Sequence, residues 1–173
     1  MGKFSGDIAE DVKEVLQSAS LKDLVDNPLV YRIAKKVGSA FTGAIANSHG
    51  DYDGTGNPYT LFTVTGDVIL QAVWGIVNVS LTGASATVQV GVTGNTAAIL
   101  ALETATELDD GGVFVSATQA VGVAPIANSG AMLALNDGLD IIETLATANV
   151  DAGQIDYYCI WAPVEKDASI VAA

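Results

Sequence analysis

The chain has 173 residues, half of them hydrophobic and 16% charged, with a net charge of −13 and one cysteine. At this length about 70% of the unfolded surface can be buried, which fits one core domain with an appendage. The lone cysteine excludes an intrachain disulfide, and so apolar a composition on so small a chain predicts burial against other subunits.

The charge is unevenly placed. Residues 1–36 hold six of the seven basic side chains against six acids, whereas 37–165 carry 13 acids and no Lys or Arg. Such a body repels a phosphate backbone, so direct DNA or RNA binding is excluded. It serves solubility and self-repulsion, or attraction to a basic partner surface or to cations.

In chain order, the first segment reads as helical. Asp7 and Glu10 form a capping box, and Ile8, Val12, Val15 and Leu16 follow at helical spacing. Ser20 and Asp23 cap a short turn, after which Asn27 and Pro28 open a third helix whose apolar side is Leu29, Val30, Ile33, Ala34 and Val37. Lys35 and Lys36 suit its last turn, and Gly38 its termination. The spacing therefore predicts a helical arm over 1–38, with Ile8, Val12, Val15, Leu16, Leu29, Ile33 and Val37 as partner-binding side chains. These stripes bury either on a neighbouring protein or on the chain's own β domain. Glycines and small residues make 39–58 a flexible linker, with the domain boundary near 52–57.

From 59 to 173 the chain reads as strands: 59–65, 67–81, 86–92, 97–103, 113–118, 131–135, 139–147 and 154–164. Thr82-Gly83, Thr93-Gly94-Asn95, Asp109-Asp110-Gly111-Gly112, Asn136-Asp137-Gly138 and Asp151-Ala152-Gly153 punctuate them. Without intervening helices this predicts an antiparallel β-sandwich, jelly-roll-like, rather than a parallel sheet. The segment 97–106 also fits a helix. The stretch VILQAVWGIVNVSL at 68–81 is uncharged and apolar on both faces, and a strand with two dry faces points to a sandwich core on one side and a second buried surface on the other. A neighbouring subunit would supply that surface, with Val73, Trp74, Val77, Tyr158 and Ile160 as the predicted subunit interface. In the closing strand, Ile155, Tyr157, Cys159 and Trp161 share a face, which places Cys159 in the core.

No reaction chemistry is legible. His49 is the only histidine, in the linker and far from Cys159, so no nucleophile–histidine pair forms by spacing. Asp51 with Asp53, Glu103 with Glu107, and Asp109 with Asp110 read as solvated loop acids. The stretch from Asp51 to Asn57 begins like a calcium loop, but Phe62 stands where its closing Glu belongs. Gly91-Val92-Thr93-Gly94 lacks the helix a phosphate loop needs. The chain is read as non-enzymatic, with no cofactor and no metal. No run reaches the length of a membrane span and no export signal opens the chain, so synthesis in the cytoplasm without membrane association is expected, and Asn78-Val79-Ser80 is read as a chance glycosylation triplet.

The stretches FTVTGDV (62–68), VQVGVTGNTAA (88–98) and QIDYYCIWAP (154–163) resemble the β domains of tailed-bacteriophage virion proteins, most closely the small capsid decoration, or cement, proteins. The likeness covers about the last hundred residues and is one of texture and motif order. It implies a homotrimer that binds the major capsid protein lattice on the outer surface of the virion. A tail, baseplate or receptor-binding module shares this texture and would use exposed loop aromatics, for which Tyr52 and Tyr59 are the candidates.

Overall fold

The structure, a computed structural model, describes residues 31–55, 57–115 and 132–173. It is mainly β, with two antiparallel sheets. Ten strands are defined: β1 (Arg32–Phe41), β2 (Tyr59–Thr65), β3 (Val68–Thr82), β4 (Thr87–Val92), β5 (Asn95–Thr104), β6 (Val113–Phe114), β7 (Leu133–Leu135), β8 (Ile141–Ala146), β9 (Ala152–Pro163) and β10 (Ser169–Ala172). One sheet runs β1-β9-β3-β6, with β7 also on β3; the other runs β10-β2-β8-β4-β5. The ambiguous segment at 97–106 is strand β5 followed by a single 3-10 turn, Ala105–Glu107.

The pairings nest. β4 pairs β5 across the Thr93-Gly94 turn, β3 pairs β6 and β7, β2 pairs β8, and β1 pairs β9, all antiparallel. The chain is thus one long hairpin, wrapped so that β3 also meets β9 and β4 also meets β8. Wrapping places successive strand pairs alternately in the two facing sheets, and Leu61, Phe62, Val88, Val90, Phe114, Ile141, Ile155 and Tyr157 fill the space between them.

The described part of the predicted helical arm is corrected here. Residues 32–41 are a strand, so Ile33 and Val37 lie on β1, while Ile8, Val12, Val15, Leu16 and Leu29 lie outside the described residues. The i, i+4 spacing of Ile33 and Val37 also satisfies a period of two, so it could not separate the two states. Tertiary context decides: β9 without β1 would present a row of unpaired backbone groups along a largely buried strand. Gly38 caps no helix; its φ of 71° sits in the register shift between Lys36 and Ser39. The predicted boundary at residue 38 therefore falls inside β1, and residues 42–55 are tied to the sandwich. Gly43 N–H donates to Val150 O, Val150 N–H to Gly50 O, and Asn149 Nδ2 to Gly43 O, while Tyr52 N–H donates to Asn149 Oδ1.

Strand β3 explains why the 68–81 stretch is apolar on both sides. Its buried set is Val68 and Leu70, then Val73, Gly75 and Val77: the parity changes at Gln71. The ladder to β9 gains one residue there, since Leu70 faces Trp161 and Ala72 faces Ile160. A bulge turns the following side chains over, so Trp74 and Ile76 face outward. Gly75 sits on the core face opposite Tyr157 and Phe114, where a Cβ would fall 2.7 Å from Ile155 Cγ2 and 3.2 Å from Tyr157 Cε1. Gly75→Val is expected to lower stability by about 1–3 kcal/mol through overpacking. A urea midpoint shifted down at unchanged slope would register it, and an unchanged midpoint would refute this packing.

Candidate functional site

The outer faces of the two sheets differ in chemistry. On the second sheet, Gln89 Nε2 donates to Thr96 Oγ1 at 2.8 Å and to Thr144 Oγ1 at 3.0 Å, and Thr87 Oγ1 donates to Ala146 O, a polar weave. On the first sheet the outward residues are mainly apolar, with Lys35 facing Tyr158 and Asp156 facing Ile76 among them. Ile33 of β1 faces Ile160 of β9, which faces Ala72 of β3; Tyr158 faces Trp74; Ile76 faces Val113 of β6. Ile33 is 70% exposed and Val37 63%. Aliphatic and aromatic side chains are thus laid across four strands around the Lys35–Asp156 pair.

The centre of this face is ordered. Trp74 and Tyr158 stack with ring centroids 5.3 Å apart and planes 6° from parallel. Lys35 Nζ lies 4.8 Å from the Tyr158 ring and 3.4 Å from Asp156 Oδ2, and Asp156 Oδ1 accepts the Gly38 N–H at 2.6 Å. Burial works against the Asp156 charge, but the Gly38 N–H, Asn78 and Lys35 outweigh it and hold the carboxyl below its usual range. Aromatic rings held by stacking lose little freedom on contact with a partner.

Of the five residues predicted for the subunit interface, Trp74, Tyr158 and Ile160 lie on this outer face. Val73 and Val77 do not: they are 7% and 1% exposed and belong to the core. The bulge at Gln71 is the reason, since an unbroken alternation could not be assigned a core side from the sequence. Cys159 is in the core as expected, and burial pushes its thiol up to about 12, far from a reactive thiolate.

A second constellation was not read from the sequence. Glu143 projects from β8 into the core, 1% exposed, and its two oxygens are both engaged: Oε1 lies 2.7 Å from His49 Nε2, and Oε2 accepts from Tyr157 OH at 2.6 Å. His49 Nδ1 lies 2.9 Å from Ala40 O, and its ring is stacked between Phe41 and Tyr59 at centroid distances of 4.2 and 3.9 Å. His49 was assigned to a linker, and nothing in the order of the chain places it beside residues 143 and 157. The available signal was Glu143 itself, the one acid in the apolar run IIETLA.

The remaining acids act locally. Asp53 Oδ1 accepts from the N–H and hydroxyl of Thr55, which lowers its proton affinity, and Asp51 Oδ2 accepts from Asn47 N–H. Burial and the neighbouring Glu107 carboxyl both raise the pKa of Glu103. Among the described residues, no group of three or more His, Cys, Asp or Glu side chains is placed to hold a metal ion. Tyr52 is half-buried against the core and Tyr59 is committed to His49, so neither is a free loop aromatic.

No family model, curated protein or solved structure matches the chain. Its chemistry is therefore read from its own geometry. Replacing Tyr157 with Phe strips Glu143 Oε2 of its buried donor and is expected to cost about 1–3 kcal/mol. Chemical denaturation at neutral pH checks it, and a stability equal to the parent would show that Oε2 does not depend on Tyr157.

Proposed function

We propose that this chain is a non-enzymatic structural protein of a bacteriophage virion: a capsid decoration protein that self-associates as a homotrimer, binds the major capsid protein lattice from outside and stabilises the head. The observation that carries this reading is the apolar outer face of the first sheet, centred on Trp74, Tyr158 and Ile160 and flanked by Ile33 and Val37 of β1. A sheet whose second side is apolar is suited to a fixed partner, and the acidic body keeps unassembled copies apart.

The strand order supports a jelly roll. The nested pairs β4·β5, β3·β6/β7, β2·β8 and β1·β9, split between sheets ordered 1-9-3-6 and 2-8-4-5, are what a rolled hairpin produces, with β10 added beside β2. Viral capsid domains use that architecture repeatedly; lectins and cupins use it too, so the fold alone leaves the role open. The outer face favours assembly over a loop-borne receptor site, because Tyr52 and Tyr59 are held in the sandwich.

Trp74→Glu places a charge at the centre of the face while leaving the core untouched. Light scattering should give a trimer for the parent and a monomer for the variant, and binding of the variant to undecorated capsids should weaken at least tenfold, about 1.4 kcal/mol. A parent protein that is monomeric and ignores capsids ends the decoration reading and moves a tail or receptor role to the front.

A further inference from the structure

The His49 cluster is arranged around one proton. Both ring nitrogens face acceptors, Ala40 O on one side and Glu143 Oε1 on the other. An imidazolium donates to both; a neutral imidazole has one nitrogen that can only accept, and it would turn a lone pair toward an oxygen. A proton between His49 Nε2 and Glu143 Oε1 satisfies both partners of that contact. Losing it leaves an unpaired contact in a site where the His49 side chain is 8% exposed.

Every element around the ring contributes a group to this balance. Glu143 of β8 lies in line with Nε2, and Tyr157 of β9 donates to the same carboxylate from behind. Tyr59 of β2 covers one ring face, and Lys36 of β1 sits 4.9 Å from the Tyr59 ring, where its charge opposes protonation of His49. On the loop itself, Asp51 is occupied by Asn47. Burial opposes the imidazolium, but Glu143 and Ala40 outweigh burial and Lys36, and His49 holds its proton above the ordinary histidine range.

The ring also carries a segment of chain. His49 lies in the stretch between β1 and β2, whose other hydrogen bonds to the sandwich, among the described residues, all run to Asn149 and Val150: Gly43 N–H to Val150 O, Val150 N–H to Gly50 O, Asn149 Nδ2 to Gly43 O and Tyr52 N–H to Asn149 Oδ1. We propose that His49 is a proton-operated latch: protonated, it clips residues 42–55 across the end of the sandwich through Glu143 and Ala40; deprotonated, it releases them. The direction follows from linkage. The folded state keeps the proton to higher pH than the unlatched chain does, so the clip is complete below the ordinary histidine value and is lost as pH rises through the raised one.

His49 is the only histidine, so its ring resonances report the proton without ambiguity in the intact chain. Amide exchange of Thr42, Gly43 and Ile45, corrected for intrinsic rate, should accelerate roughly tenfold per pH unit between those two values, while amides of β3 and β9 stay protected. Glu143→Gln supplies the discriminating variant. A glutamine N–H can donate to a neutral Nε2 while its oxygen still accepts from Tyr157, so the loop should stay protected with no pH dependence. Loop exchange in the parent that is flat across His49's titration overturns the latch. So does a Glu143→Gln protein whose loop remains as pH-sensitive as the parent's.

Discussion

Strand β9 is the piece of backbone on which the rest depends. It is paired on both sides, by β1 and by β3, and nearly all of its side chains are buried or half-buried. Its inward set of Ile155, Tyr157, Cys159 and Trp161 supplies core to the sandwich, while Tyr158 and Ile160 supply half of the outer face. A strand paired along both edges and packed into the core on one face cannot shift register by one residue without exchanging core for surface, so its alternation fixes the positions of both neighbours. The bulges in β3 are the accommodation: β9 runs regularly, and the longer strand beside it takes up the extra residues at Gln71 and again near Asn78.

That arrangement explains what could be read from the sequence. Strands β2, β3, β4, β8 and β9 were legible because alternation, β-branched residues and Gly- or Asn-containing turns agreed with one another. The placement of Cys159 followed from parity alone. What failed was information that sits in pairing rather than in periodicity. Ile33 and Val37 fit a helix and a strand equally, and only the open side of β9 selects the strand. Val73 and Val77 were assigned to an interface because nothing local announces that Gln71 is an extra residue. β10, four residues long, was missed for want of length to show a period.

The His49 cluster was illegible for another reason. Its three ionisable side chains come from the β1–β2 loop, β8 and β9, and the closest two of them in sequence, Glu143 and Tyr157, are 14 residues apart. Composition marks His49 as a loop residue, which is correct, but a loop can carry a side chain into a core. The local oddity was a carboxylate among Ile141, Ile142, Leu145 and Ala146. An acid in such a run needs a donor, and the described donors that reach it are one imidazole and one phenol.

The two constellations meet through β1. Ala40, which accepts from His49, is eight residues from Arg32 on the same strand, and between them lie Ile33, Lys35 and Val37 at the margin of the outer face. Lys35 joins that face through Tyr158 and Asp156, while Lys36, its neighbour, points the other way to Tyr59 and the Ala173 carbonyl. Among the described strands β1 has a single ladder, to β9, and it is interrupted at Gly38. Its position therefore rests heavily on side chains: Asp156 grips the Gly38 N–H, Lys35 answers Asp156, and His49 fastens the far end. A buried ion pair contributes little net stability, because desolvating both charges offsets most of their attraction. Its value here is positional, since an imidazole ring held between Ala40 O and Glu143 Oε1 admits one placement of the strand end that an apolar contact would leave free to slide.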